Sequence, residues 1–216
     1  MRLSVLAALF LVSVSVYSQD SSKVNTPSFL SKFGVRGAVN LSFYIVSSNV
    51  TEERPKLGYL FGVYMNLPLS EKVLIRPEIN YTDVGGTLSY NNNVQGNGKY
   101  RYSLNYIQVP VLLNIKLGDA VHIEGGPYVS FLSNTAIKRL DTDNNSVSVI
   151  TGLKKDDFNT KEVGAAAGIS FDIGKYNIGA RYNYGFNTVG KDGNATADDI
   201  RNGHNNVLNL SIAFGF

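Results

Sequence analysis

The chain ends with Val207-Leu208-Asn209-Leu210-Ser211-Ile212-Ala213-Phe214-Gly215-Phe216, and this stretch decides the fold. Every second residue, from Leu208 to Phe216, is large and apolar, whereas the residues between them are small or polar. Strict alternation with a period of two predicts a β-strand that has one apolar face. A soluble sandwich also buries such a face, so the rest of the chain has to distinguish the two folds.

The same alternation recurs along the chain and predicts eight strands in total. The predicted strands cover residues 33–43, 58–69, 73–84, 102–117, 121–132, 163–173, 176–186 and 207–216. Strands of about ten residues or more match the length of a tilted membrane crossing.

The connections between these strands alternate in length. Short turns lie near Ser70, Asp119 and Lys175, and long polar segments cover residues 44–57, 86–101, 133–161 and 187–205. Outer-membrane barrels have short periplasmic turns and long external loops, and a sheet in lipid must close because an open edge leaves backbone groups unpaired. We therefore predict an all-β fold, an eight-stranded antiparallel up-and-down transmembrane β-barrel. A lipocalin-like soluble barrel is the alternative, and its apolar face would line the interior around a ligand. Here the apolar face is too bulky to leave in water, and the opposite face carries the charges.

Composition excludes several classes of function. The 216 residues include no cysteine, which rules out disulfides and thiolate metal sites. The net charge of +3 gives no nucleic-acid footprint, so we expect no nucleic-acid partner.

The first residues have the pattern of a cleaved secretory signal. Arg2 precedes an apolar run from Leu3 to Val16, and Ser18 is an acceptable cleavage position. This predicts a signal peptide over residues 1–18, an N-terminal arm over residues 19–32 and the barrel over residues 33–216. We expect the exported chain to reside in the outer membrane of a Gram-negative cell.

The predicted inward face carries charged residues of both signs. An eight-stranded barrel is just wide enough for side chains to fill its interior, and buried charges must be paired or hydrated. We therefore predict a lumen ion-pair network in which the arginines pair with the carboxylates and close the barrel, and we favour it over an ion or proton path. Its members are Arg36, Arg76, Glu78, Lys116, Glu124, Asp172 and Arg181.

The external segments contain few candidates for chemistry. His204 follows Asp198 and Asp199 and is the one residue we weigh for hydrolysis at the rim, but no serine motif accompanies it. Loop carboxylates such as Asp141, Asp143 and Asp192 lack the spacing of a calcium loop. We expect no catalytic residue, no metal and no cofactor.

The alternation has two irregular points. Pro77 cannot donate a ladder hydrogen bond, which predicts a bulge there. Tyr102, Leu104 and Tyr106 are out of phase with the apolar residues that follow, which predicts a bulge between Tyr106 and Pro110. Aromatic residues near strand ends, with Tyr102 among them, predict girdles at the two membrane interfaces.

Four motifs in the predicted strands carry a family resemblance. They are Tyr106-Ile107-Gln108-Val109-Pro110-Val111-Leu112-Leu113, Gly125-Gly126-Pro127-Tyr128-Val129, Gly179-Ala180-Arg181-Tyr182-Asn183-Tyr184-Gly185 and Phe33-Gly34-Val35-Arg36-Gly37. Together they resemble the Bacteroidota outer-membrane β-barrel family, which includes PorT-like proteins. The resemblance implies the barrel fold and carries no catalytic motif. PorT-like members assist a secretion system.

These observations lead to a functional hypothesis. We expect a small non-enzymatic barrel whose external loops bind a partner, or which supports envelope or secretion assembly. The alternatives are a PorT-like secretion component, a rim hydrolase using His204 and a narrow channel. Expected partners are outer-membrane lipid and lipopolysaccharide, with a possible protein partner at loops 86–101 and 133–161, and we expect a monomer.

Overall fold

The computed structural model describes residues 32–45, 52–90, 98–140, 146–150, 158–190 and 203–216. The predicted signal peptide and residues 19–31 of the predicted arm lie outside these ranges, and within them no helix is long and apolar enough to cross a membrane. The strands are β1 (Phe33–Ile45), β2 (Glu52–Met65), β3 (Leu67–Pro68), β4 (Val73–Tyr90), β5 (Gly98–Lys116), β6 (Val121–Leu140), β7 (Ser146–Ile150), β8 (Lys161–Ile173), β9 (Tyr176–Thr188) and β10 (His204–Gly215).

The strands form a closed antiparallel sheet. Strand β1 pairs with β2 on one side and β10 on the other, the order then continues through β9, β8, β6, β5 and β4, and β4 pairs with β2. Strand β3 continues β2 in the same register against β4, and β7 is an appendage on β6. The wall therefore has eight strands, which confirms the predicted barrel.

The wall has an apolar outside and a largely polar inside. In β10, the outward-facing Leu210 and Ile212 are 61% and 53% exposed, whereas the inward-facing Asn209 of the same strand is 0% exposed. The same alternation of exposed apolar and buried side chains runs along β1, β2, β8 and β9. An apolar exterior of this kind is suited to lipid, and it agrees with the predicted facing of the strands.

All eight wall strands are longer than predicted on the side of the long connections, and β2, β4, β5 and β6 extend furthest. Strand β2 starts at Glu52, β4 and β5 together form a hairpin that extends to Tyr90 and Gly98, and β6 extends to Leu140. Parts of the predicted loops 44–57, 86–101 and 133–161 are therefore strand. The alternation of apolar and polar residues ends at the edge of the lipid-facing band, but the backbone hydrogen bonds continue beyond it. Strand ends assigned from the alternation are therefore too short.

Pro77 does not produce a bulge, and that prediction is wrong. The β4–β5 register is constant from Val73 opposite Ile115 to Tyr90 opposite Gly98. The pairing is instead interrupted between Pro77 opposite Val111 and Asn80 opposite Gln108. Pro110 lies within this gap, so both strands lack a backbone donor near the same place, and the ladder loses contacts without changing register.

The predicted bulge between Tyr106 and Pro110 is also wrong. Tyr102, Leu104 and Tyr106 are 0–2% exposed and lie on the same inner face as the later even-numbered residues of β5. The irregularity occurs in β6, where Ser133 is skipped between the pairs formed by Asn105 and Tyr106. Tyr102 therefore belongs to the barrel interior and not to an interface girdle, because the inner face itself becomes apolar toward the external end.

Two glycines allow tyrosine rings to lie flat against the inner wall. Gly34 is directly opposite Tyr64, and Gly164 is directly opposite Tyr128. A Cβ atom on either glycine would overlap the ring of its tyrosine partner. These positions require glycine because of close side-chain approach, and the rings in turn help to fill the interior.

The facing of β10 predicts opposite environments for two consecutive residues. Leu210→Arg places a charge on the lipid face and should lower the free energy of unfolding by about 2–4 kcal/mol, as expected near mid-bilayer. Nitroxide labels at Leu210→Cys and Ser211→Cys should report lipid and barrel interior, respectively, by their accessibility to oxygen and to a water-soluble nickel chelate. Lipid exposure of the label at position 211 instead would show that the register is displaced by one residue.

Candidate functional site

A cluster of ion pairs occupies the middle of the barrel. Arg181 of β9 donates from Nη1 and Nη2 to the two carboxylate oxygens of Glu78 of β4, at 2.8 and 2.9 Å. Its Nε donates to Glu124 Oε1 of β6 at 2.7 Å, and Arg36 Nη1 of β1 donates to Glu78 Oε2 at 3.1 Å. The planar guanidinium of Arg181 thus links both carboxylates, which is the bidentate geometry that arginine provides and lysine does not.

Arg76 extends the cluster toward the short turns. Its Nη1 lies 3.6 Å from Glu124 Oε2, and its Nε donates to Asn66 Oδ1 at 2.8 Å. The guanidinium carbon also lies 4.7 Å from the centroid of the Tyr64 ring, within the range of a cation–π contact. Arg76 is therefore fixed by a charge, an amide and an aromatic face together.

The central cluster contains more positive than negative charge. Its three guanidinium groups face two carboxylates, and all five side chains belong to residues no more than 8% exposed. Because each carboxylate is held by at least two arginines, neither is placed to accept a proton from a substrate. The arrangement closes the cross-section of the barrel and does not have the form of an acid–base pair.

The two remaining members of the predicted network lie nearer the short turns. The Asp172 carboxylate is 3.0 Å from His122 Nε2 and accepts a hydrogen bond from Asn177 at 2.7 Å. Lys116 is half-buried and directly opposite His122 in the ladder. In the described part of the chain, no ion pair includes Lys116.

A further buried acid, Glu162, lies toward the external end and was not predicted from the sequence. Glu162 accepts hydrogen bonds from the Tyr128 hydroxyl, at 2.9 Å, and from the Asn205 side-chain amide. The predicted strand began at residue 163, one position after this glutamate. Extending the inward series of Gly164 and Ala166 by two residues would have placed Glu162 inside the barrel.

Apolar side chains fill the interior above the ion pairs. Tyr102, Leu104 and Tyr106 of β5, Val84 of β4 and Leu132 of β6 are all buried, with Leu104 at 0% exposure. In the ladder, Val84 is directly opposite Leu104, and Tyr106 is directly opposite Leu132. The interior is therefore occupied by an ionic layer at mid-height and, on its external side, by an apolar layer from β4, β5 and β6 that lies beside the buried Glu162 and Asn205.

His204 is engaged in structural contacts. Its Nδ1 lies 3.0 Å from the Gly185 carbonyl oxygen, and its ring stacks on Tyr184 with centroids 5.9 Å apart. Its proposed partners Asp198 and Asp199, and the loop carboxylates Asp141, Asp143 and Asp192, lie outside the described residues. Within the described ranges, no three His, Cys, Asp or Glu side chains come together as a potential metal site.

Comparison with known proteins gives one family and several structural neighbours. Residues 17–190 match the family model described as outer membrane protein beta-barrel domain. Ail, the attachment invasion locus protein of Yersinia pestis, solved with the heparin analogue sucrose octasulfate, is 12% identical with a TM-score of 0.47, covering 85% of this chain and 97% of Ail. Neisserial surface protein A is 14% identical with a TM-score of 0.48, covering 86% and 98%. No curated protein sequence matches the chain.

The shared carboxylate of Glu78 predicts a large loss of stability on neutralisation. Glu78→Gln leaves Arg36 and Arg181 without their common counter-charge and should lower the free energy of unfolding by about 3–5 kcal/mol, measured by urea titration of the folded barrel. The matched control Glu71→Gln lies in the exposed turn before β4 and should change it by less than about 0.5 kcal/mol.

A double variant separates charge imbalance from simple loss of a hydrogen bond. If excess positive charge is the cause, Arg36→Met combined with Glu78→Gln should be more stable than Glu78→Gln alone. Strictly additive losses from the two substitutions would contradict the assigned coupling.

Proposed function

The chain belongs to the family of outer membrane protein β-barrel domains, and on that basis we propose that it is a closed membrane scaffold whose external hairpins form a binding surface. In this proposal the barrel anchors and orients the hairpins in the outer membrane and conducts nothing through its interior. The protein is not an enzyme in this role, and it acts as a monomer.

The occupied interior is the observation that supports this proposal most directly. Arg181, Glu78 and Glu124 join three wall strands across the barrel, and Leu104 and Tyr106 are buried on the external side of that cluster. A small barrel with two filled layers has little free cross-section for a solute. Its accessible surface is therefore the lipid face and the two ends.

At the external end the strands extend beyond the exposed apolar band. Strand β4 continues from Tyr81, at the upper part of the exposed apolar band, to Tyr90, which is roughly 30 Å of extended chain. Strands β5 and β6 continue beside it, with β7 added to β6. Loops on a rigid scaffold commonly carry binding, and β4, β5 and β6 form part of the segments 86–101 and 133–161.

A PorT-like supporting role in secretion is the finer alternative. The resemblance of residues 106–113, 125–129 and 179–185 to Bacteroidota barrels supports it. Such a role requires contacts with envelope components and does not require the external hairpins, so it makes a different prediction for their removal.

The filled interior predicts no steady ion current. The purified full chain in a planar bilayer should show no stable conductance above that of a mock-purified detergent extract, because the ionic and apolar layers leave no continuous aqueous path. A large, stable open conductance from heat-modifiable, folded protein would contradict the closed scaffold.

Removal of the longest hairpin should separate folding from function. Replacing residues 135–157 with a short turn retains the β6–β8 ladder, which ends at Phe131 opposite Lys161. The variant should remain folded and heat-modifiable but fail to restore the phenotype of a strain that lacks the protein. Full restoration would exclude the hairpin as the binding surface and would favour the secretion alternative.

A further inference from the structure

A cationic pocket lies on the outer wall at the external end of the barrel. It has a volume of about 420 Å³, within the range of small-molecule sites. Its lining residues are Pro55, Lys56, Leu57, Thr87, Arg101, Ser103 and Lys138. They come from β2, β4, β5 and β6, so the pocket spans four adjacent strands of the wall.

The charges of Arg101 and Lys138 are the unexplained feature of this pocket. The two residues are direct partners in the β5–β6 ladder, so their side chains project side by side from one face. Like charges directly opposite each other destabilise a sheet. No ion pair in the described part of the chain includes either residue. A bound anion would reduce the repulsion between these two cations.

The third cation of the pocket has a different status. The Lys56 ammonium is 2.5 Å from Asp83 Oδ2, and both side chains are largely buried. Its charge is therefore compensated within the wall. The positive charge of the pocket lining that has no ion-pair partner among the described residues is therefore that of Arg101 and Lys138, and the Thr87 and Ser103 hydroxyls also belong to the lining.

The location of the pocket identifies the kind of anion. Odd-numbered residues of β5 face outward, so Arg101 projects from the same side of the wall as the exposed Ile107. Tyr59 and Tyr81, with ring centroids 6.4 Å apart, lie on the turn side of the pocket and are both exposed. Exposed aromatic rings of this kind mark the membrane interface. Arg101 is opposite Thr87, beyond Tyr81 on β4, so the cations lie roughly 20 Å along the strand outside this aromatic pair, on the side where a glycolipid headgroup extends from the membrane.

We propose that Arg101 and Lys138 bind a phosphate group of an outer-leaflet glycolipid headgroup, with the sugar against Leu57 and Pro55. Each additional cation near a charged lipid surface strengthens association, and arginine presents a fork of donors that matches phosphate. The proposal rests on the outer-membrane location and is independent of whether the hairpins bind a partner.

The test uses the full chain in detergent and compares phosphorylated lipid A with lipid A whose phosphates have been removed. Native mass spectrometry should show phosphorylated lipid A retained on the wild type and about thirtyfold weaker binding to the variant Arg101→Gln/Lys138→Gln. The variant Lys72→Gln/Lys175→Gln removes two exposed cations from the opposite end and should bind like the wild type. Arg101→Lys, which keeps the charge, should retain most of the affinity.

Three outcomes would overturn the proposal. They are equal retention of lipid A with and without phosphates, equal binding by Arg101→Gln/Lys138→Gln and the wild type, and loss of all lipid A binding in millimolar inorganic phosphate with no preference for the lipid. Heat-modifiable migration of every variant serves as the folding control. The hairpin replacement also removes Lys138, so the two proposals are separated by Arg101→Gln/Lys138→Gln, which keeps the hairpin. Loss of lipid A binding by this variant together with full restoration of the phenotype would assign the phenotype to the hairpin and not to the lipid site.

Discussion

Closure of the sheet is the constraint on which the rest of the molecule depends. Strand β10 pairs with β1 from Gly215 opposite Gly34 to His204 opposite Ile45, so the first and last strands of the barrel form one continuous ladder. In lipid no water satisfies an open edge, and a spanning sheet must pair every strand on both sides. Once the wall is closed, alternate side chains have to face either lipid or a narrow interior. The apolar exterior and the crowded polar interior both follow from that division.

Closure leaves a narrow interior into which half of the wall's side chains must pack. Glycine opposite tyrosine, as at Gly34 and Tyr64, lets large rings pack in a narrow space, and Arg181 connects strands that are not neighbours by bridging Glu78 and Glu124. Buried ion pairs contribute modestly to stability when complete, but losing one partner is costly. Because three guanidinium groups share two carboxylates in this cluster, removal of either glutamate leaves uncompensated positive charge inside the barrel.

The sequence allowed the wall to be predicted well, because residues such as Leu208 and Leu210 repeat a period that only a strand can use. It also placed Arg36, Glu78 and Arg181 on the inner face. Their partners could not be derived from periodicity, since pairing depends on how far around the barrel each side chain reaches. Tyr102 and Leu104 were misread for a related reason: an apolar residue on the inner face looks like a change of phase. The external ends of β4 and β6 were not predicted, because apolar alternation marks only the residues that face lipid and not the full length of backbone pairing.

The wide separation of interacting residues along the chain governs how this molecule must assemble. Arg181 and Glu78 are 103 positions apart, and Asn209 donates to Asn40 across 169 positions. Contacts with such large sequence separation form slowly, because the chain loses conformational entropy in closing a long loop before the contact stabilises it. Until the sheet closes, its unpaired strand edges and apolar outer face are exposed to other unfolded chains. The same strand pairing that stabilises the finished barrel therefore leaves the unfinished barrel in need of shielding from other chains until β10 pairs with β1.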